Sequence, residues 1–443
     1  MEIDTSTRHY RAAMQIVSRL VHEGYEALFA GGIVRDMVME SADSCDIDIA
    51  TNARPETVMA LFQRTVAVGA QFGVVVVMID EFSFEVATFR SDGVTYDGRH
   101  PEKVVYTDAR NDALRRDFTV NGLFYDPLNE QVLDFVEGQA DIKRGIIRAI
   151  GDPSRRFQED YLRMLRAIRF AARFNYEIDV ITWNAIVENN KNITKMSVER
   201  IFAEIDKMIC STHPDLALDL LDCSGMLKIV LPEVSALKGV EQPPQFHPEG
   251  DVFEHTRLAL KLLPPKPSSV LAWSTLLHDI GKPATMVHAE DRIRFNSHDQ
   301  VGMKMAMKLL RRFRTSNAFM EDVGACIGNH MNFMHVQNMR LGTLKKFLSR
   351  STIDTELELH RIDCMASHGN CENISFLEER RKKIRDEMLK PAPLLKGKDL
   401  IELGFKPGPL FGEILSKVYD AQLDEEITTR NEALQLVKAL YDK

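Results

Sequence analysis

The chain has 443 residues, of which 44 % are hydrophobic and 27 % charged, so it is long enough for several domains and has the composition of a globular protein. It has no run of about 18 apolar residues, and its polar start lacks an apolar signal core, which argues against a membrane span and against secretion. The net charge of −9 has the wrong sign for general nucleic-acid binding, so such a partner would have to meet a local basic patch.

The first part of the chain alternates short strand and helix patterns. Residues 8–23 have helical periodicity, YEALFA (25–30) predicts a strand that runs into a Gly-Gly pair, and IVRDMVM (33–39) predicts a helix. Three further segments are rich in β-branched residues and predict strands, namely 46–50, 73–79 and 84–89. We therefore expect an α/β head.

Long helical patterns take over from about residue 146, with less Gly-Pro punctuation. The predicted division is an α/β head at 1–145, an all-α neck at 146–240, a third all-α region at 241–375 and a helical tail at 376–443. We find no internal repeat.

A pair of aspartates, Asp46 and Asp48, stands in the strand-like segment SCDIDIATN. In a strand they share one face, ~7 Å apart, and repel each other. A solvated strand face is the simplest interpretation. The surroundings favour a metal site instead, because Glu85 on a neighbouring predicted strand offers a third carboxylate.

Phosphate-binding features precede these aspartates. Gly31 and Gly32 form a turn at a predicted helix start, where backbone N–H groups can approach phosphate oxygens, and Arg35 adds a bidentate donor. Phosphates beside carboxylates suit Mg²⁺, which prefers a few carboxylates together with substrate phosphate oxygens. Two such ions can activate a hydroxyl and stabilise leaving pyrophosphate.

The segment GGIVRDMVMESADSCDIDIATNARPE resembles the head motif of the class II tRNA nucleotidyltransferases, which include CCA-adding enzymes and bacterial poly(A) polymerases. RRDFTVNGLFYDP (115–127), GDPSRRFQEDYLRMLRAIRFAARF (151–174) and SVERIFAEI (197–205) are similar to the later motifs of that family, in the same order. The resemblance implies a polymerase-β-like nucleotidyltransferase sheet. VMES (38–41) departs from the usual Leu-Leu-Gly run beside the metals.

The same resemblance implies roles for further residues. Asp117 and Asn121 would hold the ribose, with Arg116 near the phosphates, and Glu159, Asp160 and Arg163 would read the base. We expect residues 159–173 to form one helix, in which Asp160 and Arg163 are neighbours that together accept cytosine and adenine.

The predicted neck helix is also strongly basic. Residues 142–173 hold nine Lys or Arg against three Asp or Glu, and Arg163, Arg166, Arg169 and Arg173 share one broad side of the helix. They predict either a salt-bridged surface or a basic wall that faces nucleotide and RNA, with Arg166 among the nucleotide-binding residues.

A second metal constellation lies further along the chain. Its predicted ligands are His255, His278, Asp279 and Asp363, and His298 and His330 are spaced as ligands of a second ion would be. The ordered set resembles the HD phosphohydrolase superfamily, so the third region is predicted to be an HD domain with a divalent transition metal (Mn, Ni, Co or Fe). A relic domain with satisfied histidines is the alternative.

The predicted activity is transfer of nucleotides from CTP and ATP to the 3′ ends of tRNA or other RNA, with Mg²⁺ at the head and release of pyrophosphate. A poly(A) polymerase, or a partial CC- or A-adding enzyme, remains an alternative, and the polar segment 89–117 resembles the loop that switches C to A addition. A different class, an HD hydrolase whose head only binds nucleotide or RNA, also remains. Scattered cysteines without a CxxC pair favour a reducing cytoplasm, and neither membrane nor DNA is an expected partner.

Overall fold

The computed structural model describes residues 7–40, 46–67, 72–92, 104–243, 245, 247–290, 292–384 and 389–441. The chain divides into two compact units, Met1–Pro232 and Glu233–Lys443. The division of the chain into four regions remains a prediction.

The first unit contains eleven strands among its described residues. They are β1 Ala27–Ala30, β2 Asp48–Thr51, β3 Thr65–Val66, β4 Val74–Ile79, β5 Phe82–Thr88, β6 Arg90–Asp92, β7 Val104–Tyr106, β8 Leu123–Asp126, β9 Gln131–Asp134, β10 Ile146–Ile147 and β11 Glu177–Ile178. Seven of them form one sheet in the order β3-β4-β5-β2-β1-β8-β9.

The sheet is mixed. β2 and β5 pair in parallel, whereas all other neighbouring strands of the sheet pair antiparallel. Its interior strand β1 is buried at every position, as expected for a strand covered on both faces. The predicted strands at residues 25–30, 73–79 and 84–89 are all present, with boundaries shifted by one or two residues.

The helices of the first unit cover the sheet and then form the neck. They are α1 Arg8–His22, α2 Gly32–Val38, α3 Pro55–Leu61, α4 Ala109–Leu114, α5 Gly138–Arg144, α6 Pro153–Glu159, α7 Leu162–Phe174, α8 Val180–Asn189, α9 Val198–Ile209, α10 Pro214–Cys223 and α11 Leu227–Val230, and α12 Pro232–Ser235 spans the boundary. Short 3₁₀ helices cover Thr119–Asn121 and Asn190–Lys195.

Local sequence explains the first of these helices. The Thr7 side chain accepts a hydrogen bond from Tyr10 N and so caps α1. Ile16, Val17 and Leu20 recur at helical spacing and are fully buried.

The seven-stranded sheet and the helices that follow it confirm the predicted α/β head followed by helical regions.

The predicted helix over residues 159–173 is interrupted. α6 ends at Glu159, Asp160 is extended with φ −154° and ψ 103°, and α7 begins at Leu162. The Asp160 side chain accepts from Leu162 N, so the carboxylate satisfies an N–H at the start of the second helix. Local side-chain bonding to the backbone therefore outweighs continuous helical periodicity here.

The second unit is almost entirely helical. Its helices are α13 Val252–Lys261, α14 Ser269–Leu277, α15 Lys282–Thr285, α16 His298–Arg312, α17 Asn317–Asn329, α18 Leu341–Leu348, α19 Ile353–Ala366, α20 Glu372–Lys383, α21 Gly397–Glu402, α22 Pro409–Leu423 and α23 Arg430–Tyr441, with a 3₁₀ segment at His330–Asn338. A short hairpin joins β12 (Met286–His288) to β13 (Ile293–Phe295).

Separate apolar clusters stabilise this unit. Leu271, Leu359 and Ile362 pack together between α14 and α19, while Phe333 and Phe347 belong to a second cluster and Ile414 and Val437 to a third. In the described part of the chain, none of the helices has the length and apolar content that a membrane crossing requires.

Candidate active sites

Three carboxylates lie together where β1, β2 and β5 adjoin. Asp46 precedes β2 and Asp48 begins it, and both are exposed whereas Ile47 and Ile49 are buried. The predicted alternation is therefore confirmed, although the strand begins two residues later than expected. The parallel register pairs Ile49 with Val86, which brings Glu85 beside Asp48.

Gly31 leaves room for this site. Its φ of +72° favours glycine, and a Cβ atom there would lie 3.5 Å from Asp48 Oδ2 and 3.7 Å from Arg116 Nη1. Loss of solvent around the carboxyl group, followed by repulsion from Glu85 and Asp46, raises the pKa of Asp48 to about 6, although Arg116 acts in the opposite direction. The site therefore lacks positive charge, which a bound divalent cation would supply.

A cavity of ≈ 460 Å³ extends from Gly31 and Gly32 into the neck. Arginines dominate its lining, which also holds Asp117, Asn121 and Asp160. The arginines are Arg35, Arg115, Arg116, Arg163, Arg166 and Arg200. Such a lining is suited to a polyanion.

Asp112 fixes two of these arginines. It is buried, and its Oδ1 lies 2.7 Å from Arg115 Nη2 while its Oδ2 accepts from Arg116 Nε and Nη2 at 3.2 Å. Arg116 also donates to Asn121 O. The guanidinium of Arg116 is thereby held beside Asp48.

Asp117 connects the head sheet to the neck. Its Oδ1 accepts from Phe118 N and Asn121 Nδ2, and its Oδ2 accepts from Arg166 Nε at 2.8 Å. Burial alone would raise the pKa of Asp117, but Arg166 and these donors lower it to about 2. Asp117 and Asn121 therefore reach the cavity as a pre-oriented pair.

Arg35, the predicted phosphate donor, is buried and has partners within the protein. It is 4 % exposed and lies 5.5 and 4.7 Å from the ring centroids of Phe170 and Phe174. Its guanidinium donates to Asp36 Oδ1 and Asn121 Oδ1, both at 2.7 Å. Arg35 borders the cavity and also orients Asn121, and its role in phosphate binding stays a prediction.

The predicted placement of Asp160 and Arg163 on one helix is wrong, because the helix breaks between them, whereas their joint reading of the base stays a prediction. Arg200 Nη2 donates to Asp160 Oδ2 at 2.7 Å, whereas Arg163 Nη1 donates to Glu159 Oε2 at 2.6 Å. Both Asp160 and Arg163 nevertheless border the same cavity.

The two interpretations of the neck arginines, a salt-bridged surface and a basic wall, each describe part of the set. Arg169 is buried and donates to Glu204 Oε2 at 2.7 Å, and Arg173 lies 3.8 Å from Asp36. Of the four arginines proposed for the wall, only Arg163 and Arg166 border the cavity. The other two take part in ion pairs with residues of the same unit.

The second constellation also comes together, within the second unit. His255 lies on α13, His278 and Asp279 follow α14, His298 begins α16, His330 follows α17 and Asp363 lies on α19. The first five of these residues are buried. The sequence therefore correctly predicted that these six residues, which are spread over more than 100 positions, lie together in the folded chain.

Asp279 lies between two pairs of histidines, His255 with His278 and His298 with His330. Asp279 Oδ2 lies 3.3 Å from His278 Nε2 and 3.8 Å from His255 Nε2, and its Oδ1 lies 3.4 Å from His298 Nε2. His298 Nε2 in turn lies 3.1 Å from His330 Nε2. The carboxylate therefore faces both pairs of imidazoles, as a bridging ligand would.

The outer ring nitrogens fix the tautomers. The Nδ1 atoms of His278, His298 and His330 lie 2.6–2.9 Å from the carbonyl oxygens of Thr275, Phe295 and Ile327, three residues earlier in each case. Because a carbonyl oxygen only accepts, each Nδ1 carries a proton, and the Nε2 atom of each ring faces the cluster.

Two carboxylates contact the fourth ring, that of His255. His255 Nδ1 donates to Glu249 Oε1 at 2.7 Å, and its Nε2 lies 3.1 Å from Asp363 Oδ1. Burial would lower the pKa of His255, but these acceptors raise it to about 9. Asp279 with His255 and His278, and Asp279 with His298 and His330, form groups whose donor atoms lie close enough to hold a metal ion, and imidazole and carboxylate donors fit a divalent transition metal.

Sequence reasoning missed several partners of both sites. Arg115 and Arg200 border the head cavity, and Glu249, Lys282 and Gln242 surround the histidines, with Lys282 Nζ 2.6 Å from both Asp279 Oδ2 and Gln242 Oε1. Only Lys282 had a local signal, since it follows Asp279 by three residues. Residues 93–103 of the proposed C-to-A segment (89–117) lie outside the described residues, as does Ser41 of VMES.

Comparison with known proteins identifies the family. Residues 27–148 match the Poly A polymerase head domain, 175–238 match the probable RNA and SrmB-binding site of polymerase A, and 298–437 match the tRNA nucleotidyltransferase domain 2. The CCA-adding enzyme of Pediococcus pentosaceus is 30 % identical over 440 residues, which is 98 % of each chain. The chain belongs to the CCA-adding enzyme family. It is therefore a tRNA nucleotidyltransferase.

Other members of the family agree. A CCA-adding enzyme of Streptococcus pyogenes is 40 % identical over 214 residues, which is 48 % of this chain and 53 % of that protein. The crystal structure of the Bacillus stearothermophilus CCA-adding enzyme in complex with CTP has a TM-score of 0.76 at 25 % identity and covers 98 % of each chain. The Thermotoga maritima CCA-adding enzyme complexed with tRNA shares the fold, with a TM-score of 0.59 at 17 % identity over 98 % of this chain and 95 % of that one.

Proposed function

We propose that this chain completes tRNA 3′ ends by adding C, C and A in sequence from CTP and ATP. The RNA 3′ hydroxyl attacks the α-phosphate of the bound nucleotide, and pyrophosphate leaves. The observation that carries the proposal is the adjacency of Asp46, Asp48 and Glu85 to an arginine-lined cavity that opens at Gly31.

The head carboxylates are suited to divalent cations. Asp46 and Asp48 would hold them, with Glu85 completing the acidic group, and the space beside Gly31 admits phosphate oxygens. Mg²⁺ there would favour ionisation of the attacking hydroxyl and stabilise the leaving pyrophosphate. Gly31, Gly32, Arg35 and Arg116 would bind the triphosphate, while Asp117 and Asn121 would bind the ribose.

The base would be selected where the neck helix breaks. Asp160 can accept a hydrogen bond from the exocyclic amine that cytosine and adenine share, and Arg163 can donate to the ring nitrogen beside it. Uracil offers a carbonyl in place of that amine, which a carboxylate cannot bind. Arg200 donates to Asp160 and Glu159 accepts from Arg163, while Arg166 donates to Asp117.

End addition on three tRNA transcripts tests this function. The transcripts stop before CCA, after the first C and after CC, and each is incubated with Mg²⁺ and CTP, ATP or both. Extension by three, two and one nucleotides supports the proposal. Long A tails would instead favour a poly(A) polymerase, and arrest after CC or a requirement for CC would favour a partial enzyme.

A second activity is favoured by the histidine cluster. We propose that His255, His278, Asp279 and Asp363 bind one divalent transition metal (Mn, Ni, Co or Fe) and that His298 and His330 bind a second through Asp279, as in an HD phosphohydrolase. Such ions would activate water and neutralise a phosphate ester. Terminal or cyclic phosphates at RNA 3′ ends are the proposed substrates.

Phosphate release distinguishes this activity from nucleotide addition. Hydrolysis that survives Asp46→Ala and is lost in Asp279→Ala would assign it to the cluster. If the chain released phosphate but added no nucleotide, the different-class alternative would hold, with a head that only binds nucleotide or RNA. A cytoplasmic location remains our expectation for either activity.

A further inference from the structure

The cavity of the first unit has room for one nucleotide. Its volume of ≈ 460 Å³ is usual for a pocket that holds a single ligand of the size of a nucleoside triphosphate, and its arginines match the charge of the phosphates. The proposed reaction also needs the 3′ end of the RNA, whose hydroxyl must reach the α-phosphate. The terminal nucleotide of the RNA should therefore lie at the rim of the cavity, beside the incoming nucleotide.

One part of this rim carries an aromatic ring next to the proposed base-reading residues. Asp160 and Leu162 border the cavity, whereas Tyr161 between them is not among the described residues that line it. The Tyr161 side chain is half-buried and stands immediately before the first residue of α7. A base that follows the incoming base along the RNA strand would meet this stretch of chain.

A lysine lies over the same ring. Lys195 ends the 3₁₀ helix that precedes α9, is exposed, and has its Nζ 5.0 Å from the centroid of the Tyr161 ring. The next residue, Met196, accepts from Arg200 Nη1 at 3.8 Å, and Arg200 Nη2 donates to Asp160. Tyr161 and Lys195 are thus each one residue away from the contact between Arg200 and Asp160 or from its neighbour.

The ring and the lysine are both available to a ligand. Within the described part of the chain, neither the Lys195 ammonium nor the Tyr161 hydroxyl has a hydrogen bond or an ion pair. Solvent reaches this face of the ring, because the group that lies over it belongs to an exposed side chain. A lysine side chain is flexible, so its ammonium can move to a phosphate while a base takes its place on the ring.

This combination is suited to the end of a single RNA strand. Bases of single strands stack on aromatic side chains, and cations beside them follow the phosphates of the backbone. Arg163 and Arg200, which border the cavity, already pair with Glu159 and Asp160. Lys195 has no such carboxylate partner among the described residues, so its charge matches an added anion.

We infer that Tyr161 and Lys195 hold the 3′-terminal nucleotide of the RNA, with its base stacked on the Tyr161 ring and the phosphate on its 5′ side bound by Lys195. The inference rests on the nucleotide addition proposed for the first unit and adds the residues that position the attacking strand. The incoming nucleotide, which occupies the cavity, should not depend on them.

The first test removes the base from the RNA and the ring from the protein. A tRNA that stops after CC is compared with the same RNA carrying an abasic terminal nucleotide that keeps its 3′ hydroxyl, each with ATP and Mg²⁺. In the parent, loss of the base should lower kcat/KM for the RNA by about tenfold. Tyr161→Ala should cause a similar loss with the intact RNA and almost none with the abasic RNA, because no base remains to stack.

Two further readouts exclude a merely structural role for the ring. KM for ATP should stay within about twofold of the parent in Tyr161→Ala, since the cavity keeps its lining. Tyr161→Phe keeps the ring and should restore the response to removal of the base. Equal losses with both RNAs in Tyr161→Ala would show that the ring only stabilises the neck and would overturn the stacking contact.

Salt dependence tests the lysine. Lys195→Gln should raise the Kd of the tRNA, measured by fluorescence anisotropy, and should reduce the slope of log Kd against log salt concentration by about 0.7, the value for one phosphate contact of a single strand. Lys191 is exposed on the same 3₁₀ helix, and Lys191→Gln should leave the slope unchanged. An unchanged slope in Lys195→Gln, or an equal change in both variants, would overturn the phosphate contact.

Binding also separates this inference from the proposed function. If the parent adds no nucleotide to any transcript, the proposed nucleotide addition fails, and the Kd values of the intact and the abasic RNA are then compared in the parent and in Tyr161→Ala. A preference for the intact RNA of about tenfold in the parent that is absent from the variant would support the subsite. An equal preference in both proteins would overturn it.

Discussion

The carboxylates of the first unit and the histidine cluster of the second unit differ in how much of a metal site the protein prepares in advance. Asp46, Asp48 and Glu85 repel one another, and the described residues supply one nearby cation, Arg116, that lowers the pKa of Asp48. In the cluster, every histidine has an outer partner that orients its ring, and Asp279 already contacts a lysine. One site is therefore exposed and short of positive charge, whereas the other is buried and pre-oriented.

This difference matches the chemistry proposed for each site. Mg²⁺ keeps several oxygen ligands from water and substrate, so a head that binds it together with a triphosphate can leave its carboxylates without protein partners. A transition metal held by imidazoles needs ligands of fixed orientation, and the second unit builds them from five separate helices and their ends. The head should thus depend on its substrate, and the cluster should hold metal in the resting protein.

Substitution of Asp46 should have the largest effect. Asp46→Ala removes one carboxylate of the head, and loss of several kcal/mol of metal assistance corresponds to at least about 10³-fold slower nucleotide addition. The rate is measured by single-turnover extension of a tRNA transcript that stops after CC. Phosphate release at the cluster should remain unchanged, and near-normal addition would refute the assignment of the catalytic head.

Asp279→Ala should empty the second site. Because Asp279 faces both pairs of imidazoles, its loss should reduce tightly bound transition metal by about tenfold or more, measured by plasma mass spectrometry after gel filtration. Nucleotide addition should stay within about twofold of the parent, since the head has its own ligands. His298→Gln controls for the buried Lys282 that Asp279→Ala leaves unpaired, and unchanged metal content in both variants would exclude the cluster as a metal site.

Glu249→Gln should have a smaller effect on the same site. The substitution keeps an acceptor for His255 Nδ1 but removes its charge, so metal affinity should fall by about 10- to 100-fold without emptying the site at saturating metal. Competition with a fluorescent chelator measures the affinity. As a control, Glu254 lies on α13, the helix that carries His255, and pairs with Arg257. Glu254→Gln should leave the metal affinity unchanged. Equal affinities for both variants would argue against an orienting role for Glu249.

Motif spacing and strand alternation predicted the parts of the molecule that are set locally. The head strands, the Gly31 turn and the shared face of Asp46 and Asp48 follow from period-two burial and from one glycine with positive φ. The order of the histidines and aspartates also predicted which residues converge in the second unit. These features depend on short stretches of sequence or on a ligand pattern with specific chemistry.

Partner choice among charged side chains could not be predicted in the same way. Helical spacing predicted that Arg163 and Asp160 are neighbours on one helix, but the helix breaks at Asp160, and Arg200 of α9 donates to the Asp160 carboxylate. Arg169 has the same spacing, yet it is buried against Glu204 from the same distant helix. Tertiary packing decides these pairs, and neither the arginine periodicity nor the local composition contains that information.

The smallest predicted effect concerns how much the crowded head carboxylates lower the stability of the folded state. The pKa of Asp48 is about 6 in the folded protein and about 3.9 in an unfolded chain, so between these values the folded state binds more protons and stability falls as pH rises. The amide that replaces the carboxylate in Asp48→Asn carries no charge. This substitution should therefore raise the melting temperature of the first unfolding transition in EDTA at pH 7.5 by about 2 °C.

The dependence of this gain on pH and on ligands identifies its cause. The gain should vanish near pH 4, where Asp48 is protonated in the folded state. Addition of Mg²⁺ and CTP should reverse the order, because only the parent gains full stabilisation from the ligands. A variant that melts below the parent in EDTA at pH 7.5 would show that Asp48 is not under charge strain, and the contrast between the two sites would then rest on geometry alone.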